Sequence, residues 1–377
     1  MKKQLLSFAV MLSATLFTAC INNDNTPNKY LMPIANGVYV VGSGNTANGI
    51  PGNLTYYDYS TKTATQDVFE RINGASLGNS VLNDAMRYGD KVYVVADGEN
   101  AVFVADAKTL RPIEVIKLTS DAMLGAGGVS PRRITASENK IYVSTYGGYV
   151  AAIDTVNFTL SKRYEVGSYP EGILIVNGYM YVANSDYGQG KASISIINLS
   201  TGVAAETITN AEIRNPQEIA VAGADVYYLD YGQYGEAPDY KQEHAGVYRY
   251  NLYDKKAVQI IPNATGMTCY GTYIFTFNNA NGVEKTTYSV YDIRTSVLDT
   301  FVPDGIEIPA AIAIDPVTNY LFIASNTKLS GGQYADYSSR GYVNYYNPST
   351  YQKLGSFDCG VGPVRFAFNN SLEYIEM

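Results

Sequence analysis

The sequence predicts an all-β fold built from a repeated unit. Short runs of β-branched and aromatic residues, bounded by Gly, Asn and Asp, recur along the 377 residues. One such run occurs seven times, from GVYVVGSG at 37 to YLFIASNT at 320, with a mean spacing of about 47 residues. The composition, 46% hydrophobic and only 16% charged, excludes a disordered chain and is enough to bury such strands.

This first family of runs supplies one strand to each repeat. We align its seven members on one apolar position, which is Tyr39, Tyr93, Tyr142, Tyr181, Tyr227, Ile274 and Phe322. The successive spacings of 54, 49, 39, 46, 47 and 48 residues match one four-stranded blade of a β-propeller.

Two further families frame the first. Strands that end in Asx follow each member, at Asp58, Asp106, Asp154, Asn198, Asn251, Asp292 and Asn347. Each Asx begins a polar turn in which its side chain can accept a bond from the backbone two residues on. Strands such as SPRRITAS at 130, SYPEGILIV at 168, NPQEIAVA at 215, IPAAIAID at 308 and GPVRFAFN at 362 precede the first family, with weaker copies near Asn83 and Asn263. The segment after each Asx turn supplies the fourth strand.

The order of these families predicts how the ends of the chain meet. The run at 37 has no first strand before it, whereas the chain ends on a first strand at 362 to 369. The C-terminal strand is therefore expected to complete the first blade, which leaves no long free sheet edge. We predict a single seven-bladed propeller over residues 36–377.

The residues before 36 read as a leader and a tether. Met1-Lys2-Lys3, an apolar run and the sequence Phe17-Thr18-Ala19-Cys20 have the charged, apolar and small-residue regions of a signal peptide. The ending resembles the cleavage box of bacterial lipoproteins, in which the Cys receives lipid. This resemblance implies a signal peptide over 1–19, lipidation of Cys20, a flexible tether over 20–35 and an outer-membrane location.

Several chemistries lack support in the composition. A single histidine, His244, argues against multi-His metal sites and Ser/His/Asp catalysis, and the net charge of −8 argues against nucleic acid as a partner. No phosphate-binding, nucleophile-elbow or zinc motif is present, so we predict no enzyme activity, no cofactor and no metal. Pairs of carboxylates such as Glu171 with Glu218 leave a carboxylate enzyme as a distant alternative. Sequence leaves open whether Cys269 and Cys359 pair.

Loop lengths select one face of the predicted ring. Because strands alternate in direction, the loops between second and third strands all lie on one face, at about 43–53, 97–100, 145–148, 184–191, 230–245, 277–287 and 325–341. Tyr outnumbers Phe 35 to 12, and many of the loop tyrosines stand beside Asn, Gln and Gly, a composition typical of binding surfaces. From this face and the adjoining first strands we select the candidates Arg132, Tyr146, Glu171, Asn184, Tyr187, Glu218, Tyr231, Tyr234, Asn278, Asn326, Tyr334 and Tyr337. An ion pair between Arg132 and Glu171 is the alternative to a ligand contact.

The runs YVVADG at 93, YVSTYG at 142 and YVANSD at 181 resemble the YVTN or YncE-type repeats of exported seven-bladed propellers. With the lipoprotein-like leader, the chain is most similar to the BtuG group of surface lipoproteins. That resemblance implies capture of a corrinoid such as vitamin B12 as bound ligand and its transfer to a TonB-dependent outer-membrane transporter. A carbohydrate-binding propeller and a structural or protein-interaction propeller of surface layers are the alternatives, because propellers host many functions.

Overall fold

Seven four-stranded antiparallel sheets follow one another along the part of the chain that the computed structural model describes, which is residues 29–236, 240–280, 285–332 and 334–376. The leader and Cys20 lie outside these residues. Within them the chain is almost entirely β. One short α-helix, α1 (Val68–Asn73), and three single-turn 3₁₀ helices accompany the strands.

The strands are numbered in chain order. Sheet 1 contains β1 (Lys29–Gly42), β2 (Asn53–Asp58), β3 (Thr63–Thr65) and β30 (Pro363–Glu376); sheet 2 contains β4 (Leu82–Tyr88), β5 (Lys91–Ala96), β6 (Ala101–Asp106) and β7 (Pro112–Lys117); sheet 3 contains β8 (Pro131–Ser137), β9 (Lys140–Thr145), β10 (Tyr149–Asp154) and β11 (Leu160–Glu165). Sheet 4 contains β12 (Pro170–Val176), β13 (Tyr179–Asn184), β14 (Ser193–Asn198) and β15 (Val203–Ile208); sheet 5 contains β16 (Pro216–Ala222), β17 (Asp225–Asp230), β20 (Gly246–Asn251) and β21 (Lys256–Pro262). Sheet 6 contains β22 (Gly266–Tyr270), β23 (Tyr273–Asn278), β24 (Thr287–Asp292) and β25 (Val297–Phe301); sheet 7 contains β26 (Ile308–Ile314), β27 (Leu321–Asn326), β28 (Tyr342–Tyr346) and β29 (Lys353–Asp358). A small hairpin of β18 (Gln233–Tyr234) and β19 (Gln242–Glu243) projects from the loop of sheet 5.

The predicted strand families match this order. The C-terminal strand β30 pairs with β1, with Tyr39 opposite Ala367, as the sequence predicted. The tether prediction is wrong at its end, because β1 begins at Lys29 and residues 29–35 are paired with β30 rather than flexible.

All seven Asx turns form as predicted. In each, the Asx side chain accepts a hydrogen bond from the backbone N–H two residues on, at 2.8–3.0 Å. In each, the residue four positions after the Asx has a positive φ and donates its N–H to the Asx carbonyl. These residues are Lys62, Leu110, Phe158, Gly202, Lys255, Ser296 and Tyr351.

In the part of the chain that the structure describes, the core consists of seven hydrophobic clusters, each between two sheets. Six of them join consecutive sheets, and the seventh joins sheet 7 to sheet 1 through Phe322, Val343, Val38 and Val40. The second strand of each sheet is buried on both faces because alternate residues pack into different clusters. On β5, for example, Tyr93 packs toward sheet 3.

One position in the alignment of the first family is wrong. Asp292 lies opposite Tyr273, one residue before the aligned position. In five other sheets the Asx lies opposite the residue two before the aligned one, at Asp58, Asp106, Asp154, Asn198 and Asn251. The member from sheet 6 is therefore Phe275, which packs toward sheet 7, and not Ile274, which packs toward sheet 5. A slip of one residue moves a side chain to the other face of its strand.

The first strands of the sheets contact one another, and we call them the central strands. The contacts run from β22 through β26, β30, β4, β8 and β12 to β16. At Gly172 on β12, an added Cβ would lie 2.5 Å from the carbonyl oxygen of Gln217 on β16. The absence of a side chain there allows these two strands to approach closely.

Candidate functional site

A β-bulge near the start of the central strands places polar side chains on the loop face. On β8, Arg132 and Arg133 together oppose Ser144, because Pro131 pairs with Thr145 and Ile134 with Val143. The same irregularity occurs on β12 at Glu171 and Gly172, and on β16 at Gln217. A bulge turns side chains out of the regular alternation, and here it brings Arg132 of sheet 3 within hydrogen-bond distance of Glu171 of sheet 4.

A cavity of about 560 Å³ opens beside these bulges. We call it the tyrosine cavity, and its walls come from three consecutive sheets. Sheet 3 contributes Arg132 and Tyr146, sheet 4 contributes Glu171, Ser185, Tyr187 and Gly188, and sheet 5 contributes Asn215, Gln217 and the segment from Tyr231 to Tyr234. The volume is within the usual range for small-molecule sites.

Arg132 and Glu171 form the charged floor of this cavity. The guanidinium Nε donates to both carboxylate oxygens, at 3.1 and 3.2 Å, and Nη1 donates to Asp97 at 3.3 Å. The Tyr146 hydroxyl also donates to Glu171, and the guanidinium lies 4.6 Å from the centre of the Tyr146 ring. Burial and then the Glu171 carboxylate raise the pKa of Tyr146, so its hydroxyl stays protonated as a donor.

Three tyrosine rings meet edge to face at the sheet 4 wall. The ring centres of Tyr146, Tyr169 and Tyr187 lie 5.0 to 5.9 Å apart. This is the preferred geometry of aromatic pairs. Tyr187 remains 64% exposed, and Tyr234, which also lines the cavity, is 53% exposed. Two ring faces therefore stand at the rim, where a ligand can reach them.

The loop that carries Tyr187 has an unusual backbone. Asp186 and Tyr187 on this loop, and Tyr169 on the segment before β12 that contacts it, all have positive φ, at 47°, 52° and 48°, a conformation that costs free energy for residues other than glycine. Hydrogen bonds hold it: Ser185 donates its hydroxyl to the Tyr169 carbonyl at 2.8 Å, and Asp186 accepts the Lys191 N–H at 2.7 Å. The surrounding bonds thus fix Tyr187 in place.

Asp230 positions the sheet 5 wall. Its fully buried carboxylate accepts backbone N–H groups of Arg214, Asn215 and Gly232, at 2.9, 2.9 and 2.7 Å. Burial raises the pKa of Asp230 to about 6, against the opposing effect of these hydrogen bonds. One side chain therefore ties the entry to β16 to the loop that carries Tyr231.

A second charged cluster lies deeper among the central strands. Glu218 on β16 pairs with Arg365 on β30 and lies 3.9 Å from Arg133, while the buried Asp84 on β4 lies close to both arginines. Burial and then the charge of Arg133 lower the pKa of Arg365 to about 9. Glu218 therefore lies outside the walls of the tyrosine cavity.

Other sequence candidates do not reach the cavity. Asn184 is fully buried and bonds the Gly167 N–H and the hydroxyls of Ser193 and Ser195, so it stabilises its own sheet. Asn278 likewise bonds within its own loop, and Asn326 is buried. These three residues, each the last of its second strand, are buried and lie outside the walls of the tyrosine cavity. Tyr334 and Tyr337 are exposed on the loop of sheet 7, away from the cavity walls.

The structure adds residues that the sequence analysis did not select. Tyr169, Ser185 and Asn215 join the site, and Asp97 joins through Arg132. Tyr169 and Asn215 both precede the proline that starts a central strand. That position, just before the bulge, is the signal that would have identified them.

A second cavity, of about 660 Å³, adjoins the first and shares Gly188 and Gln233 with it. Lys191 and Arg214 line it, and Arg214 pairs with Glu212 at 3.0 Å. Among residues 29–236, 240–280, 285–332 and 334–376, no three His, Cys, Asp or Glu side chains group so as to hold a metal ion. Cys269 and Cys359 are not joined to each other.

Comparison with known proteins identifies the family. A family model described as a domain of unknown function, DUF5074, matches residues 36–230. The chain belongs to the DUF5074 family. The DUF5074 match includes Arg132, Tyr146, Glu171 and Tyr187 of the cavity and ends one residue before Tyr231. No curated protein matches the chain.

Solved structures resemble this DUF5074 chain at the level of fold. Hydrazine synthase of Kuenenia stuttgartiensis aligns with a TM-score of 0.53 and 14% identity over 76% of this chain and 92% of that chain. The computationally designed Ika8 protein aligns with a TM-score of 0.50 and 12% identity over 78% and 96% of the two chains. No helix among the described residues has the length and apolar character needed to cross a membrane.

Proposed function

We propose that the seven sheets are the blades of one closed β-propeller. Three observations support this: clusters between successive sheets, a cluster between sheets 7 and 1, and a first sheet that contains strands from both ends of the chain. Pairing the first and last strands is an effective way to close such a ring, because it leaves no open edge.

On this propeller we propose that the tyrosine cavity captures a small molecule. The observation that carries the proposal is the cavity itself: the exposed rings of Tyr187 and Tyr234 line it together with the amide groups of Asn215, Gln217 and Gln233. Rings offer apolar contact area and amides offer neutral donors and acceptors, the usual division of labour in ligand sites.

The charges of the site indicate a ligand that is not an anion. Arg132 is already bonded to Glu171 and Asp97, two carboxylates against one guanidinium. A neutral, flat molecule edged with amides fits rings beside Asn and Gln, and a corrinoid has these properties. A ligand of that breadth would place one part in the cavity and the rest over the open loop face.

We place this binding step at the outer membrane. The lipoprotein-like leader supports a lipid on Cys20, and the resemblance to surface lipoproteins supports transfer of the ligand to a TonB-dependent transporter. The role is binding without catalysis, since the most buried acid of the cavity, Glu171, is held by Arg132 and Tyr146.

Calorimetric titration with cobalamin tests the ligand. We expect binding at micromolar concentration or tighter, and about a tenfold loss of affinity in Tyr187→Ala and in Tyr234→Ala, equivalent to about 1.4 kcal/mol each. Tyr253→Ala is the matched control, because Tyr253 is exposed in an Asx turn on the opposite face. Absence of cobalamin binding at micromolar concentrations would contradict the corrinoid proposal.

A carbohydrate is the second candidate ligand. The observation that favours it is the pair of exposed tyrosine rings at the rim, since sugars also stack on rings beside amide side chains. A glycan array separates the two ligands. Signals on the array that disappear in Tyr187→Ala, together with no response to cobalamin, would replace the corrinoid by a glycan.

A further inference from the structure

The first and last strands continue beyond sheet 1 as a two-stranded ribbon. Residues 29–35 of β1 pair with residues 370–376 of β30, from Lys29 opposite Glu376 to Ala35 opposite Asn370. β2 pairs only with residues 37–42 of β1, so the ribbon stands without a third strand. An isolated pair of strands is only marginally stable in water.

One face of this ribbon is apolar and open. Because directly opposite residues share a face, Leu31 and Tyr374 lie together, next to Pro33 and Leu372, and Lys29, opposite Glu376 in the register, occupies the tip of the same face. Leu31 is 50% exposed, Leu372 61% and Tyr374 71%. The other face carries Tyr30, Met32 and Ile375, together with Glu373. Large apolar groups gathered in this way mark a surface that contacts something other than water.

The ribbon lies on the face opposite the tyrosine cavity. β1 runs from the ribbon at Lys29 to Gly42, where the loop face begins, and Asp58 at the Asx-turn end of β2 pairs with Gly37 beside the ribbon. Both ends of the described chain therefore leave from the Asx-turn face, while the ligand site opens on the other.

We propose that the apolar face of this ribbon lies in the headgroup boundary of a lipid bilayer. The proposal rests on the lipid anchor proposed above for Cys20. Only residues 21–28 separate that Cys from β1, so the lipid lies within about 30 Å of Lys29 even if this segment is fully extended. Tyr and Leu side chains near a Lys are the composition that favours the membrane interface.

The membrane contact has a consequence for the site. With the ribbon against the bilayer, the tyrosine cavity faces away from it, toward the medium from which a ligand arrives. The lipid on Cys20 and the ribbon then act together: the acyl chains hold the protein at the bilayer, and the ribbon contact sets its orientation there.

Tryptophan fluorescence tests this inference, because the chain contains no Trp. The full chain with Tyr374→Trp is lipidated and reconstituted in vesicles of phosphatidylethanolamine and phosphatidylglycerol, with or without brominated acyl chains. We expect the emission to shift to the blue and to lose most of its intensity in the brominated vesicles. Leu31→Trp provides a second reporter on the partner strand. Tyr334→Trp, exposed on the loop face, is the matched control and is expected to keep its emission.

Flotation of the same samples separates the ribbon from the anchor. Protein that floats while Tyr374→Trp and Leu31→Trp emit like Tyr334→Trp overturns the ribbon contact and keeps the anchor. If the Trp reporters are still quenched by the brominated vesicles when Cys20→Ser is also present, the result supports the ribbon contact. It also shows that the ribbon reaches the bilayer without the acyl anchor. A blue shift that grows with protein concentration in the absence of vesicles overturns the proposal in favour of a second copy of this chain on the ribbon.

Discussion

Glu171 accepts hydrogen bonds from the Nε of Arg132 at both of its carboxylate oxygens, 3.1 and 3.2 Å away, although the two residues stand 39 positions apart in neighbouring sheets. Glu171 is almost completely buried. A buried carboxylate needs such a partner, because the loss of water around its charge is otherwise uncompensated. The pair therefore joins sheets 3 and 4 at the floor of the cavity.

Breaking this pair is expected to destabilise the protein. Arg132→Met leaves Glu171 buried without its cation, and the free energy of unfolding should fall by about 3 kcal/mol. The double variant Arg132→Met/Glu171→Gln should recover part of that loss, because no charge remains unpaired. Urea unfolding measures both. Glu206→Gln is the control: its pair with the exposed Lys255 is screened by water and should contribute little to stability. If the losses of unfolding free energy from the two substitutions simply add in the double variant, the coupling between Arg132 and Glu171 is contradicted.

Asp230 predicts a dependence of stability on pH. Its pKa in the folded chain is about 6, above the ordinary value of 3.8, so the folded state binds the proton more tightly. Below about pH 4 the protonated Asp230 therefore contributes at most about 3 kcal/mol to the free energy of unfolding. This contribution is lost as the pH rises through about 6. In Asp230→Asn this part of the pH dependence should vanish. Unfolding free energies at several pH values between 4 and 7 compare the two proteins, and parallel curves would contradict the assignment.

The repeated Asx turns predict a stabilising substitution. Ser296 has a φ of 57° at the position where the equivalent turn of sheet 4 has Gly202, and glycine adopts this conformation at lower cost. Ser296→Gly should therefore raise the free energy of unfolding by about 0.5 kcal/mol, and Gly202→Ala should lower it by about 1 kcal/mol. Thermal unfolding measures both changes. If both variants melt at the same temperature as the unsubstituted chain, the two turns are not equivalent.

Truncation distinguishes the two parts of β30. Removal of residues 372–377 deletes most of the ribbon but keeps residues 363–368 of β30, which pair with β1 inside sheet 1, so the remaining chain should unfold cooperatively with little loss of stability. Removal of residues 363–377 deletes the strand that completes sheet 1, exposing the edge of β1 and the cluster shared with sheet 7. We expect that chain to aggregate or to unfold without a sharp transition. A well-folded product, by circular dichroism and size-exclusion chromatography, would contradict closure through β30.

Most of the strand order was predictable from the sequence. Period-two apolar runs and Asx turns are local signals, because each depends on residues within a few positions of one another. The tether was predicted to extend to residue 35 because Tyr30, Leu31 and Met32 have no local pairing signal. Their partners in β30 lie more than 340 residues further along the sequence, and no local pattern can indicate a pairing over that separation.

The candidate site was only partly predictable for the same reason. The sequence selected Arg132, Tyr146, Glu171, Tyr187, Tyr231 and Tyr234, which line one cavity, because they stand on the loops of one face or at strand starts. It also selected Asn184, whose amide points inward and is used by Ser193 and Ser195. Loop membership fixes the face of the molecule but not the direction of a side chain.

The sequence by itself determined the seven repeats, their Asx turns and the strand that joins the two ends of the chain. Only the tertiary structure decided that Phe275 replaces Ile274 in the repeat, that Arg132 is committed to Glu171 and Asp97, and that Tyr169 supports Tyr187. The physical reason is that bulges and packing between sheets set side-chain direction. Those contacts join residues tens of positions apart, whose proximity exists only once neighbouring sheets have packed.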